Sequence, residues 1–178
     1  MTIAVKEHIT LRPLRKGDEP AVSEHGNNIL IWNYMRDFFP HPYTLQDAIN
    51  WVDRNLANEV QYNFSICYED AVIGMIGLIP KKDIDRVSAE IGYWLGEKYW
   101  GRGIMTDVLK VYTKHIFNTF EIVRIEAGVF EENIASQKAL QKAGFYLESI
   151  RKYAYLKNGK YIHGHFYVLL KPELKNGS

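Results

Sequence analysis

Residues 89–103 read Ala89-Glu90-Ile91-Gly92-Tyr93-Trp94-Leu95-Gly96-Glu97-Lys98-Tyr99-Trp100-Gly101-Arg102-Gly103. Val87, Ala89, Ile91, Tyr93 and Leu95 fall on one face of a strand, and Glu90, Gly92 and Trp94 on the other. From Ile104 the period changes: Ile104, Val108, Val111, Tyr112 and Ile116 recur at helical steps and predict an amphipathic helix. Gly101 and Gly103 stand at its entry. Without Cβ atoms the backbone there can approach a ligand closely, and the first N–H groups of a helix favour an anion such as a pyrophosphate. A tight turn with no ligand suits the same two glycines. Other phosphate-binding patterns do not fit, because Thr106 occupies the third glycine position of GxGxxG and the chain has no GxxxxGK[ST].

Outward from this stretch the chain alternates strands and helices. His8 to Leu14 reads as a first strand, and Gly17-Asp18-Glu19-Pro20 as a helix entry with Asp18 at the N-cap. Gly26 to Tyr43 is irregular and aromatic. Tyr43-Thr44 opens a second helix, with Ala48, Trp51, Val52 and Leu56 at helical spacing. Tyr62 to Tyr68 and Ala71 to Ile79 form a hairpin through Glu69-Asp70. Beyond the central helix, Val123 to Val129 is a strand, and Asn133 caps a helix that ends at Gly144. Ser149 to Leu156 and Tyr161 to Leu170 flank the turn dipeptide Asn158-Gly159. This order predicts a mixed α/β domain with one central sheet.

At 178 residues the chain has the size of one domain, expected over 1–178 with a core of about 8–171. Its 22 basic and 21 acidic side chains leave a net charge of +1, which argues against a nucleic-acid or anionic-membrane partner. The one cysteine, Cys67, excludes an intrachain disulfide and lies in an apolar stretch that predicts a buried thiol. No apolar run approaches the roughly 18 residues of a membrane span, and no signal-peptide core opens the chain, so a cytoplasmic protein is expected. His163 and His165 lack a third ligand at sensible spacing, so no metal is expected.

The segment Ala89 to Gly103 resembles motif A of the GNAT N-acetyltransferases, whose phosphate loop is written [Q/R]-x-x-G-x-[G/A]; Lys98 stands in place of the usual Gln or Arg. Downstream, Asn133, Ser136, Lys138, Leu140, Lys142 and Gly144-Phe145 resemble motif B. Leu11-Arg12-Pro13-Leu14, the run Tyr43-Thr44-x-x-Asp47-Ala48-x-x-Trp51 and the WGRG loop are similar to the branch that includes ribosomal-protein N-terminal acetyltransferases. The resemblance implies a single-domain fold with a mixed, mainly antiparallel twisted sheet, flanked by helices and splayed at the cofactor site. It also implies acetyl-CoA as cosubstrate and a primary amine as acceptor.

On this resemblance, backbone groups around Trp94 and Leu95 pair with the pantetheine amides, and the loop Tyr99, Trp100, Gly101, Arg102, Gly103 and Ile104 takes the pyrophosphate. Lys98, Arg102 and Lys138 supply phosphate charge or are solvated surface cations. An ammonium with a pKa of roughly 8 to 10 must lose a proton before it attacks a thioester. Glu90 is the candidate base, and it coincides with the glutamate serving as base in some family members; the alternative is a salt-bridged structural acid. Many relatives use a tyrosine as acid at the position of Leu140, which cannot serve, so Ser136 is the candidate here, or else bonds only to backbone. Asn133 caps its helix, contacts the cofactor, or does both. Aspartate is frequent in this branch near the position of His163. Phe39 and Tyr43 are candidate acceptor contacts, or core aromatics. The acceptor is a peptide N-terminus; alternatives are a polyamine, an aminoglycoside, or no acceptor at all in a non-catalytic acetyl-CoA-binding module. A homodimer is left open.

Overall fold

The computed structural model of the protein describes residues 1–173; residues 174–178, the end of the expected domain, lie outside the described residues. The strands are β1 (Ile3–Lys6), β2 (Ile9–Pro13), β3 (Asn63–Tyr68), β4 (Ala71–Pro80), β5 (Ser88–Leu95), β6 (Arg124–Phe130), β7 (Tyr146–Lys157) and β8 (Lys160–Leu170). The helices are α1 (Glu19–Gly26), α2 (Ile29–Trp32), α3 (Leu45–Leu56), α4 (Ile104–Thr119) and α5 (Ile134–Lys142), with short 3-10 turns at Asp83–Asp85 and Glu97–Tyr99. Among the described residues the strands form a sheet in the order β1-β2-β3-β4-β5-β6-β8-β7. Pairing is antiparallel for β1–β2, β2–β3, β3–β4, β6–β8 and β7–β8. It is parallel for β5–β6, which requires the crossover that α4 supplies. This is the α/β fold with a mainly antiparallel, helix-flanked sheet that the resemblance implies.

Contacts gather the chain into two compact units, residues 1–77 with 93–104, and residues 78–92 with those from 105 onward. In the first, Leu14, Val22, Ala48, Val52, Val72 and Trp94 belong to one buried cluster. Thr44 caps α3 in a complete capping box with Asp47, so this helix starts where its sequence says. Its last apolar residue, Leu56, is exposed rather than part of the buried stripe. The β3–β4 hairpin turns through Glu69 (φ 45°) and Asp70 (φ 73°), positive at both central positions as a tight hairpin turn demands.

Two elements were not foreseen. β1 extends the sheet by pairing with β2, and α2 forms inside the stretch read as irregular, capped by Asn28, which accepts from the Leu30 N–H. Asp18 does stand at the N-cap of α1, but its side chain caps nothing. Its carboxylate takes both arms of the Arg12 guanidinium at 2.8 Å each. Arg12 Nε also donates to Asp70 at 2.8 Å. Arg12 and Asp18 are both buried, and the hydrogen bond that Arg12 donates to Asp18 heads the causes that push the guanidinium pKa up. Burial pushes the nearby Cys67 thiol up to about 11, so it is a core group rather than a nucleophile at neutral pH.

In the second unit, α4 buries Val108, Leu109, Tyr112 and Ile116, and α5 buries Leu140. The register of β5 with β6 covers Ser88↔Arg124, Ala89↔Ile125 and Glu90↔Glu126. β7 ends the strand order and is exposed along most of its length. Its pairing with β8 slips between Arg151 and Tyr155, where Tyr153 takes a φ of 52° and its N–H donates to His163 Nδ1 at 2.9 Å.

Asp18→Ala leaves the buried guanidinium with Asp70 as its remaining carboxylate and strands the donors of its fork, so it should lower the unfolding free energy by about 1–3 kcal/mol. Urea unfolding checks this, and a loss below about 1 kcal/mol would show that the pair does not anchor the first unit.

Candidate active site

In the first unit the end of β5 is fixed by close backbone packing. A Cβ on Gly74 would lie 2.5 Å from the Trp94 carbonyl oxygen, so β4 must carry glycine there for β5 to approach. Gly96 N–H donates to Ile73 O at 2.7 Å, and Trp100 Nε1 donates back to Leu95 O at 2.6 Å, tying the loop to the strand it leaves. Trp94 and Leu95 are buried, and Phe39 meets the Trp94 ring edge-on at 6.2 Å between centroids. Phe39 also packs on Tyr43 at 4.7 Å. Phe39 is half-buried, whereas Tyr43 is a core residue whose phenol is pushed up to about 12 by burial.

The loop itself is exposed at Gly101, Arg102 and Gly103. Gly101 (φ 73°) and Gly103 (φ 72°) both sit in the left-handed region, and a Cβ built on either would have nothing within 4 Å. The glycines are therefore needed for backbone conformation, and the space beside them is open. A helix's first N–H groups have no intrahelical partner, so this curl at the start of α4 can receive an anion. Arg102 lies with its guanidinium carbon 5.8 Å from the Tyr99 ring centroid, and Lys6 Nζ donates to the Arg102 carbonyl at 3.4 Å. Lys98 pairs with Glu24 at 3.4 Å. Lys6, on the strand that the sequence did not announce, is thus a further cation beside the loop.

The C-terminal end of α1 braces the turn before the loop. Asn28 Nδ2 donates to Glu97 Oε2 at 2.7 Å. The His25 ring meets Tyr99 edge-on at 5.8 Å. A Cβ on Gly96 would come 2.9 Å from His25 Nδ1. Burial, helped by the charge of Lys98, holds the His25 pKa below its ordinary value, so the ring in this seat is neutral at physiological pH.

In the second unit Glu90 is half-buried and level with Glu126 on the neighbouring strand. Burial alone would raise the pKa of Glu126, but hydrogen bonds from Lys81 Nζ at 2.6 Å and Arg124 Nε at 2.7 Å bring it down overall. The carboxylate beside Glu90 is therefore neutralised by its own cations. Asn133 caps α5, its Oδ1 accepting from the Ser136 N–H at 3.1 Å. Ser136 is half-buried, Lys138 is exposed and Leu140 is fully buried. One polar residue escaped sequence reasoning altogether. Gln137, between Ser136 and Lys138, is buried, and its amide donates to Glu131 O at 2.8 Å. Its Oε1 accepts from Tyr167 Oη at 3.2 Å and lies 3.2 Å from His165 Nδ1. A glutamine on the apolar side of a short helix was the available signal.

With this geometry in hand, the chain is matched over residues 8–146 by the family model described as an acetyltransferase (GNAT) domain. The chain belongs to that family, and it is an N-acetyltransferase. It is similar to the probable N-acetyltransferase YjcK of Bacillus subtilis (strain 168), 29% identical in an alignment that covers 93% of this chain and 95% of the relative. It is also similar to the ribosomal-protein-serine acetyltransferase of Escherichia coli (strain K12), 29% identical in an alignment that covers 66% of this chain and 74% of that protein. In fold it matches a RimL ribosomal L7/L12 alpha-N-protein acetyltransferase solved in complex with coenzyme A, with a TM-score of 0.85 at 24% identity over 96% of this chain and 98% of that one.

Because Gly96 faces His25 and the Ile73 carbonyl, Gly96→Ala should force the turn outward and cost roughly 1–3 kcal/mol, the usual scale of overpacking. His25→Ala in the same chain should recover part of that loss. Thermal unfolding of the single and double variants reads the coupling, and strict additivity would remove His25 as the brace.

Proposed function

We propose that the chain transfers the acetyl group of acetyl-CoA to the α-amine of a peptide or protein N-terminus. The observation that carries the cofactor half of this reading is the left-handed curl at Gly101 and Gly103, open where side chains would stand, at the start of a long helix. Acetyl-CoA, the cosubstrate of the family, supplies an activated acyl carbon and a thiolate leaving group. Lys98, Tyr99, Trp100, Gly101, Arg102, Gly103 and Ile104 hold its pyrophosphate by backbone N–H groups and by charge, with Lys138 and Asn133 as further contacts. Trp94 and Leu95 align the pantetheine along the end of β5. Lys98 shares its charge with Glu24, which leaves Arg102 as the main cation of the loop.

The acceptor half rests on chemistry at Glu90 and Ser136. Glu90 takes a proton from the incoming ammonium, directly or through one water, freeing the nitrogen lone pair. The Ser136 hydroxyl, held at the first turn of α5 by the Asn133 cap, donates a hydrogen bond to the departing sulfur. Phe39, half-buried and packed on the buried Tyr43, is with it the candidate acceptor contact. A peptide amine is favoured over a polyamine because that pair is aromatic and because, in the other unit, the carboxylate next to Glu90 is already occupied by Lys81 and Arg124. The named similarity to a ribosomal-protein-serine acetyltransferase points the same way.

The test is acetyl transfer to a panel of Ser- and Ala-initiated peptides, spermidine and aminoglycosides. Turnover of peptides above the small amines is expected; preference for spermidine would overturn the acceptor assignment, and CoA binding without turnover would leave a binding module. Gly103→Val should weaken CoA binding at least tenfold in calorimetry while the domain stays folded, since the new side chain occupies the open space and resists a positive φ. Glu90→Gln should lower kcat/KM by about 10²-fold or more and flatten the acidic limb of the pH–rate profile. A near-normal rate with an unchanged profile would hand the base role to another group.

A further inference from the structure

The second unit carries a set of aromatic side chains on the same sheet face as Glu90. Register partners share a face, so Glu90, Glu126 and Val168 form one row, and Gly128 with Phe166 and Phe130 with Gly164 form the next two. Tyr155 lies flat across this face, because neither glycine has a side chain to lift it. A Cβ on Gly128 would come 2.7 Å from Tyr155 Oη, and one on Gly164 would come 2.7 Å from Tyr155 Cε2. Tyr155 stacks toward Phe166 at 6.3 Å and packs on Phe130 at 5.1 Å. Arg151 reaches in from β7 and sets its guanidinium carbon 3.9 Å from the Phe166 ring centroid.

That guanidinium is exposed and makes no hydrogen bond or ion pair with another described residue. Glu148, which feels its charge least among its neighbours, is already forked by Arg124. The ring holds the guanidinium in place by contact, and its donors remain for an incoming group. A planar guanidinium selects a carboxylate, which it can meet with two parallel hydrogen bonds.

We propose that Arg151, held over Phe166 beside Tyr155, is a carboxylate-reading subsite that selects peptide acceptors with an acidic side chain near the N-terminus. The inference rests on the peptide-acceptor reading above and goes beyond it by naming the acceptor's chemistry. Spacing sets the position of the acidic residue. Phe166 is two strand spacings and one pleat repeat from Glu90, about 12 Å in a sheet with strands ~4.8 Å apart and ~3.4 Å per residue. An extended peptide whose amine meets Glu90 spans that distance in three to four residues. A polyamine laid along the same path meets a cation instead.

The experiment uses the full chain and peptides identical except for Glu, Gln or Lys at residue three or four. Steady-state kinetics are measured for wild type, Arg151→Gln and Arg151→Glu, with calorimetric peptide binding in the presence of CoA read alongside. For wild type, the KM and Kd of the Glu peptide should fall roughly tenfold or more below those of the Gln peptide, the scale of a charge-assisted hydrogen bond. The kcat and the KM for acetyl-CoA should stay nearly level. Arg151→Gln should abolish the difference, and Arg151→Glu should turn it toward the Lys peptide. Equal binding of Glu and Gln peptides by wild type, or a preference that survives Arg151→Gln, overturns the proposal while leaving peptide acetylation intact. Failure of every peptide to bind or react, with spermidine accepted, overturns the peptide reading and this inference together. Arg151 is exposed, and unchanged urea midpoints for its variants exclude a folding effect.

Discussion

A buried arginine must be answered by charge, and in this protein Arg12 is answered by Asp18 at 2.8 Å on each arm and by Asp70 through Nε. The three residues sit on β2, at the start of α1 and in the β3–β4 turn, with Asp70 58 residues on from Arg12. A charge with no water around it tolerates little displacement, so this fork fixes where α1 begins relative to the strands of its unit. α1 then runs from Asp18 to the far end, where His25 and Asn28 meet the turn that precedes the glycine loop. The loop's position is thus inherited from a salt bridge at the opposite end of a short helix.

The same economy of space governs the strand that delivers the loop. Gly74 and Gly96 allow backbone to lie where side chains would collide, and the Trp100 indole bonds back to Leu95. Gly101 and Gly103 serve a different need, since no atom crowds them and only their left-handed torsions exclude other residues. Close packing on one side of the turn and open space on the other leave the glycine loop as an exposed rim on a well-packed base. Such a rim suits a ligand whose phosphates must be met by backbone N–H groups without rearrangement.

Much of this could be read from the amino acids. The alternation through Ala89 to Leu95, the helical step from Ile104 and the glycines between them are local signals, and each element formed where those signals lay. The capping box at Thr44 and the turn at Asn158-Gly159 are local as well. What escaped depends on contacts made only in three dimensions. Four residues of β1 are too few for a period to speak, and the strand exists because β2 offers it a pairing edge. Asp18 looked like a cap because its spacing to the helix is visible, while its true partner Arg12 is chosen in three dimensions. Gln137 meets His165 and Tyr167 only once α5 has docked on β8. Arg151 and Tyr155 share a face by simple alternation, but a slip in register that no local pattern announces sets Arg151 opposite Gly164 rather than Phe166.

That slip bears on more than the acceptor. β7 lies at the margin of the sheet, long, largely exposed and bearing Tyr146, Leu147, Ile150, Tyr153 and Leu156 on its surface. A straight strand of that composition would offer a continuous ladder to any other extended chain, and fibrous association begins at such ladders. The left-handed turn at Tyr153, held by the His163 ring, breaks the ladder midway and leaves two short stretches out of phase. A change that straightened the backbone of β7 would therefore favour sticking between molecules before it disturbed folding.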